Sequence, residues 1–112
     1  MTTLFEKIVA REIPADIVFE DDEIIAFKDI NPHAPIHFLI VPKKAIPTLN
    51  DLTEEDAPLV GRLPVVAAQL AREYGIAENG YRVVMNCNEY GGQTVYHIHM
   101  HLMGGRRLES MG

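Results

Sequence analysis

Tryptophan is missing from this 112-residue sequence, and cysteine occurs once, at Cys87. A lone cysteine excludes an internal disulfide framework and a cysteine-rich zinc centre, and Cys87 reads as a small buried or semi-buried side chain. No stretch approaches the roughly eighteen consecutive apolar residues of a membrane-spanning helix, and the opening MTTLFEKIVAREIP has no apolar secretory core. Basic charge is scarce. Ten Lys and Arg stand against sixteen Asp and Glu, a formal net charge of −6 with histidines neutral. That balance argues against nonspecific binding of nucleic acid or an anionic membrane, while leaving room for a local phosphate site. Repeats, linkers and low-complexity tracts are also lacking. What remains is a chain that is 47% apolar, too rich in core-forming residues for disorder. The length suits one domain spanning residues 1–112, expected to be cytoplasmic.

Histidine is where the sequence departs from the ordinary. Three of its five histidines fall within five positions of GGQTVYHIHMHLMGG, residues 91–105. On a strand, His97, His99 and His101 would line one face and Ile98, Met100 and Leu102 the other. Successive imidazoles would stand about 6–7 Å apart. A helix would scatter the three around its circumference, so a strand over residues 95–103 is predicted, bounded by glycine pairs.

The rest of the chain reads as support for that strand. A short helix is predicted over residues 3–11, capped by Thr3 with Glu6 at the capping-box position and Leu4, Ile8 and Phe5 as its apolar face. Strands follow at 17–19, 24–27 and 37–41, separated by the Asp21-Asp22 turn and the rigid NPHAP connection, with Pro42 ending the third. The second of these is apolar throughout, with no alternation to set its register. Lys43-Lys44 reads as solvated surface. Thr53 then caps a long helix over 54–74, with Leu59, Leu63, Val66, Leu70 and Tyr74 as one buried stripe. Pro64 predicts a kink or break near residues 60–64, and Gly75 terminates the helix. A strand at 81–85, a polar glycine-rich loop at 86–93, the histidine strand and an irregular tail over 104–112 complete the chain. The pattern is α+β, with the long helix covering one sheet face and the other face open.

The histidine row supports three chemistries. It could be surface on a half-exposed strand. Two of the imidazoles with a carboxylate could hold zinc or iron, although three on a flat strand would have to bend inward to share one ion. Or a neutral imidazole could attack phosphorus while its neighbours donate protons and hydrogen bonds, with Gln93, Thr94 and the Gly91–Gly92 amides as further donors.

Those same residues resemble the signature of the histidine triad superfamily, and more narrowly its Hint branch of nucleoside phosphoramidate hydrolases. The resemblance extends over LFEKIVAREIPA, FEDDEIIAFKDINPHAPIHFLIVPKK and GYRVVMN, nearly the whole chain. It implies one HIT domain with a five-stranded antiparallel sheet, one long and one short helix, and a homodimer in which two sheets join as ten strands. It implies a hydrolase acting on purine nucleoside phosphoramidates or adenylates, with no metal or cofactor. His99 would be the nucleophile that carries the nucleotide, with His101 toward the leaving group, His97 in the supporting network and His37 as a fourth site histidine. Asn86, Gly92, Gln93 and Thr94 would surround the phosphate and Asp29 would hold the ribose. Phe5, Ile13, Phe27 and Ile30 would form the base pocket. Animal relatives approach the partner's site with a tryptophan, which this chain lacks. The resemblance also leaves open a nonenzymatic nucleotide-binding regulator, or a dinucleoside polyphosphate hydrolase or nucleotidyl transferase of the same superfamily.

Overall fold

Five strands form one antiparallel sheet in the computed structural model, which describes residues 2–111. In chain order the elements are α1 (Leu4–Val9), β1 (Ile17–Glu20), β2 (Ile24–Lys28), β3 (Ile36–Pro42), α2 (Ala57–Glu73), β4 (Tyr81–Val84), α3 (Asn88–Gly91) and β5 (Met100–Gly104). Across the sheet the order is β1-β2-β3-β5-β4, so the last strand enters between β3 and β4. The one-turn α3 stands where a plain loop was expected. Residue 112 of the predicted tail lies outside the described residues.

The unbroken apolar run of β2 has a simple cause: both its faces are covered. Ile24 and Ala26 join Phe38, Ile40, Met100 and Leu102 against Leu63, Val66, Ala67 and Leu70 of α2. Ile25 and Phe27 point the other way and join Leu39 and Val41 beneath Phe5 and Ile8 of α1. A strand buried on both faces needs no polar alternation. The second face, expected to be open, is therefore open only at the end where His37 and His101 lie.

α1 forms as its cap predicts. The Thr3 hydroxyl accepts from the Glu6 N–H at 3.2 Å, and the Glu6 carboxylate accepts from the Thr3 N–H at 3.1 Å. Its buried side is Phe5 and Ile8, while Leu4 is 45% exposed and leaves the predicted apolar face.

The predicted stripe of α2 is buried at Leu63, Val66 and Leu70 and half-buried at Leu59, but Tyr74 caps the helix with its ring at the surface, edge-on to Phe38. Residues Glu54–Asp56 form a separate 3₁₀ turn, in which the Asp56 carboxylate accepts from the Thr53 N–H at 3.1 Å and from Lys44 Nζ at 2.6 Å. Lys44 thus secures the start of the helix instead of facing solvent alone. No break occurs at Pro64, which sits on the exposed side of a continuous helix. Buried Leu63 and Val66 on either side hold the helix across a proline whose interior cost is about 3 kcal/mol.

Leu70 is fully buried between α2 and the sheet. Leu70→Ala should lower unfolding stability by about 2–5 kcal/mol, read from the urea midpoint with an unchanged slope. A shift of the midpoint no larger than that of a surface substitution would remove α2 from the main core.

Candidate functional site

The site begins with a strand register. β3 and β5 run antiparallel with His37 opposite Met103 and Leu39 opposite His101. Residues 37, 39, 101 and 103 therefore share the face away from α2, and the His37 and His101 rings meet diagonally across the pair. His37 Nε2 lies 2.9 Å from His101 Nδ1. The other nitrogen of His37, Nδ1, accepts the His33 backbone N–H at 3.0 Å. An accepting Nδ1 leaves the ring hydrogen of neutral His37 on Nε2, so Nε2–H donates to His101 Nδ1. His101 in turn carries its hydrogen on Nε2.

The histidine row divides before it reaches that pair. β5 starts only at Met100, so His97 and His99 precede the strand that was expected to hold all three. Ile98 is anchored by its N–H to the Ile46 carbonyl at 2.8 Å. His97 is fully buried and donates Nε2–H to the Pro42 carbonyl at 2.6 Å, while its Nδ1 has no partner among the described residues. His99 donates Nδ1–H to the carbonyl of His97 at 2.8 Å. That bond leaves the lone pair of His99 on Nε2. Its ring stands edge-on to Phe5 at 4.9 Å and 5.0 Å from the ring of His101, centroid to centroid.

A cleft of about 730 Å³ opens over this end of the sheet. Of the residues singled out from the sequence, Asp29, His37, Asn86, Gly92, Thr94, His99 and His101 line it. The others do not. His97 lies behind His99. Gln93 is buried and spends its amide on the scaffold: Nε2 donates to the Pro47 and Val95 carbonyls at 2.8 and 3.1 Å, and Oε1 accepts from the Asn88 N–H at 2.9 Å. It braces the loop that presents Gly92 and Thr94. Gly92 itself takes φ +85°, a left-handed cap at the end of α3 that favours glycine. Phe5, Phe27 and Ile13 belong to the core under α1, with the two phenylalanine rings edge-on at 5.4 Å. Ile30 is 87% exposed.

Sequence reasoning missed Arg82, Val84, Met103 and Arg106, which also line the cleft. For Arg82 and Val84 a signal existed. They alternate on β4, and Val84 pairs with His101, which puts both on the histidine face. Arg106 had none, because it arrives from the turn beyond β5.

Burial dominates the electrostatics. It pushes the pKa of His99 below the ordinary histidine value, with His97 adding to the shift and the carbonyl bond opposing it. His101 is pushed down to about 4, by burial first and then by His99 and His37. Burial also lowers His37, against the pull of the Asp29 carboxylate 3.4 Å from its Nε2. All three imidazoles are therefore neutral near pH 7. Asp29 is further engaged through Oδ1, which accepts from the Asn31 N–H at 2.8 Å.

Asp29, His37 and His101 offer three ligand atoms within 4.8 Å of one another, so a metal at this point has to be weighed. A metal-bound histidine ordinarily donates its second ring N–H to an acceptor. His37 instead meets a donor, the His33 N–H, at that second nitrogen. A cation on Nε2 would demand a ring hydrogen where none can point, so this donor set fits a metal poorly.

A family model described as HIT domain matches residues 10–108. The chain is 57% identical over 109 residues to the purine nucleoside phosphoramidase of Escherichia coli (strain K12), covering 97% of this chain and 92% of that one. Among solved structures, a HIT family hydrolase from Legionella pneumophila Philadelphia 1 is 52% identical with a TM-score of 0.94, covering 96% of each chain. A histidine triad protein from Clostridium difficile is 41% identical with a TM-score of 0.93, over 97% of this chain and 95% of the other.

The depressed histidines make stability depend on pH. An unfolded His101 takes up its proton around pH 6.5, whereas the folded one resists until about 4. Between those values the unfolded state binds more protons, so stability is complete above about 6.5 and is lost as pH falls toward 4. The urea midpoint should fall across that window, and His101→Phe should flatten the slope. A midpoint independent of pH over the same interval would contradict neutral burial of the cluster.

Proposed function

We propose that this chain, which belongs to the HIT-domain family, hydrolyses purine nucleoside 5′-phosphoramidates and related adenylates through a nucleotide carried on His99. The observation that carries the reading is the bond from His99 Nδ1 to the His97 carbonyl, because it leaves an uncharged Nε2 lone pair at the cleft wall. The named activity of the relative that is 57% identical supports the substrate class.

His99 Nε2 attacks the α-phosphorus in line, and the bond from phosphorus to the leaving nitrogen breaks as the new nitrogen–phosphorus bond forms. An amine leaves badly without a proton. Neutral His101 does not give up its own: the proton comes from solvent water in the open cleft, while His101 Nε2–H donates a hydrogen bond to the lone pair that develops on the departing nitrogen. Water then attacks the nucleotidyl-histidine, releases the nucleoside monophosphate and returns the lone pair to His99. Thr94 and Asn86 hold the phosphate oxygens, whose charge grows as the transition state forms, with the Gly92 backbone beside them, its own N–H being donated to the Glu89 carbonyl at 3.0 Å. Asp29 offers Oδ2 to the ribose, its Oδ1 being held by Asn31. The base lies along Ile30 toward Ile13, Phe5 and Phe27. Gln93 and His97 serve from behind, one bracing the phosphate loop and the other the backbone that orients His99. No metal or cofactor takes part.

The whole of residues 1–112 works as one HIT domain, in the cytoplasm. No helix among the described residues is long and apolar enough to cross a membrane. The unit in solution is a homodimer. β4 is an edge strand that leaves Tyr81 and Val83 about two-fifths exposed, and pairing two such edges makes a ten-stranded sheet. A nucleotide-binding regulator without turnover, or a dinucleoside polyphosphate hydrolase or nucleotidyl transferase, would use the same cleft.

Adenosine phosphoramidate separates these readings. His99→Ala should lose turnover by at least about 10³-fold yet keep binding the monophosphate. Peptide mass spectrometry of a quenched reaction should find the nucleotide on His99, and chelation with EDTA should leave the rate unchanged. Turnover surviving in the alanine variant would end the assignment of His99.

A further inference from the structure

Arg106 stands outside every motif in the sequence, on an exposed turn just past β5. Its guanidinium pairs with no carboxylate among the described residues, unlike Arg11 and Arg62. Both of its hydrogen bonds go to backbone carbonyls: Nη1 donates to that of Arg107 and Nη2 to that of His33, each at 2.9 Å. The turn can lie this close because residue 105 is glycine. It adopts φ +99°, and a Cβ there would come within 2.9 Å of Pro35 Cβ. The NPHAP connection, stiffened by its prolines, is the other half of the contact.

His33 is the residue whose N–H decides the tautomer of His37. Arg106 grips the carbonyl of that same residue, on the other side of its Cα, so three hydrogen bonds run in series through the backbone of residue 33. Arg106 Nη2 donates to the His33 carbonyl, the His33 N–H to His37 Nδ1, and His37 Nε2–H to His101 Nδ1. Each link sets the orientation of the next. Were the His33 N–H turned away, His37 could place its hydrogen on Nδ1 and accept with Nε2. His101 would then donate Nδ1–H to His37 and offer the cleft a bare lone pair, which is the wrong polarity toward the lone pair that develops on the departing nitrogen.

We infer that Arg106 is a positioning residue that holds His101, through His33 and His37, in the tautomer that presents N–H to the leaving group. The kinetic consequence rests on the hydrolysis proposed above, but the tautomer can be observed without turnover.

Nuclear magnetic resonance of the full chain with ¹⁵N-labelled histidine rings is the direct measurement. In the unaltered protein at neutral pH, His37 and His101 should each carry hydrogen on Nε2 and His99 on Nδ1. Arg106→Ala should give mixed tautomers at His37 and His101 and leave His99 unchanged. Kinetics supply the second arm. That variant should lower kcat about 10-fold on a phosphoramidate with an alkylamine leaving group. It should leave kcat within about twofold on the 4-nitrophenyl ester of the same monophosphate, since nitrophenolate departs without a proton. Millimolar guanidinium should restore the amine reaction. Unchanged tautomers, or equal losses on both substrates, would overturn the inference. If the alanine variant does not fold, Arg106→Lys is read in the same way, with smaller shifts expected and unchanged tautomers again decisive. Should the unaltered protein hydrolyse neither substrate, the proposed activity fails while the tautomer measurement still decides the role of Arg106.

Discussion

The antiparallel pairing of β3 with β5 holds the cleft together, because it brings His37 and His101, 64 positions apart, to 2.9 Å. What guards that pairing is the opposite face of the same two strands. Phe38, Ile40, Met100 and Leu102 are all packed against α2, so a slip of one residue would bury His101 in that core and turn Leu102 toward the cleft. The apolar residues between the histidines thus have a definite task. They make the wrong register too costly to occupy, and the site inherits its geometry from the core beneath it.

Once in place, the imidazoles are governed by the backbone more than by carboxylates. Crowding and burial keep His37, His99 and His101 neutral, so the question at each ring is which nitrogen holds the hydrogen. Carbonyl oxygens answer it for His97 and His99, and an amide N–H answers it for His37. Asp29 stands near His37 but at 3.4 Å, and with its other oxygen engaged by Asn31. The result is polarity in sequence along the cleft: a lone pair on His99 beside a donor on His101. The amide at His37 also argues against metal chemistry where the ligand atoms of Asp29, His37 and His101 converge.

Much of this was legible beforehand. The capping box of α1, the apolar stripe of α2 and the existence of five strands follow from local pattern, and the structure contains them. Failures trace to contacts between distant segments. β2 could not be assigned a register because α1 covers a face that looked free. Pro64 predicted a break that packing at Leu63 and Val66 suppresses. Gln93, polar and preceded by two glycines, had every local mark of a ligand residue, yet its amide is consumed by Pro47, Val95 and Asn88. Arg106 had no local mark at all.

The histidine row itself is the measure of the division. By itself the sequence determined that His97, His99 and His101 are spaced for a strand and interleaved with core residues, since side-chain alternation is a property of any extended chain. It also carried the family resemblance. Only the tertiary structure decided that the row is not one row: His97 is sealed beneath the Pro42 carbonyl, His99 lies before the strand, and His101 lies in it beside His37. Those differences depend on backbone groups of residues 33, 42 and 97. Every residue except proline carries the same N–H and every one the same C=O, so nothing in the sequence marks which of them will meet an imidazole.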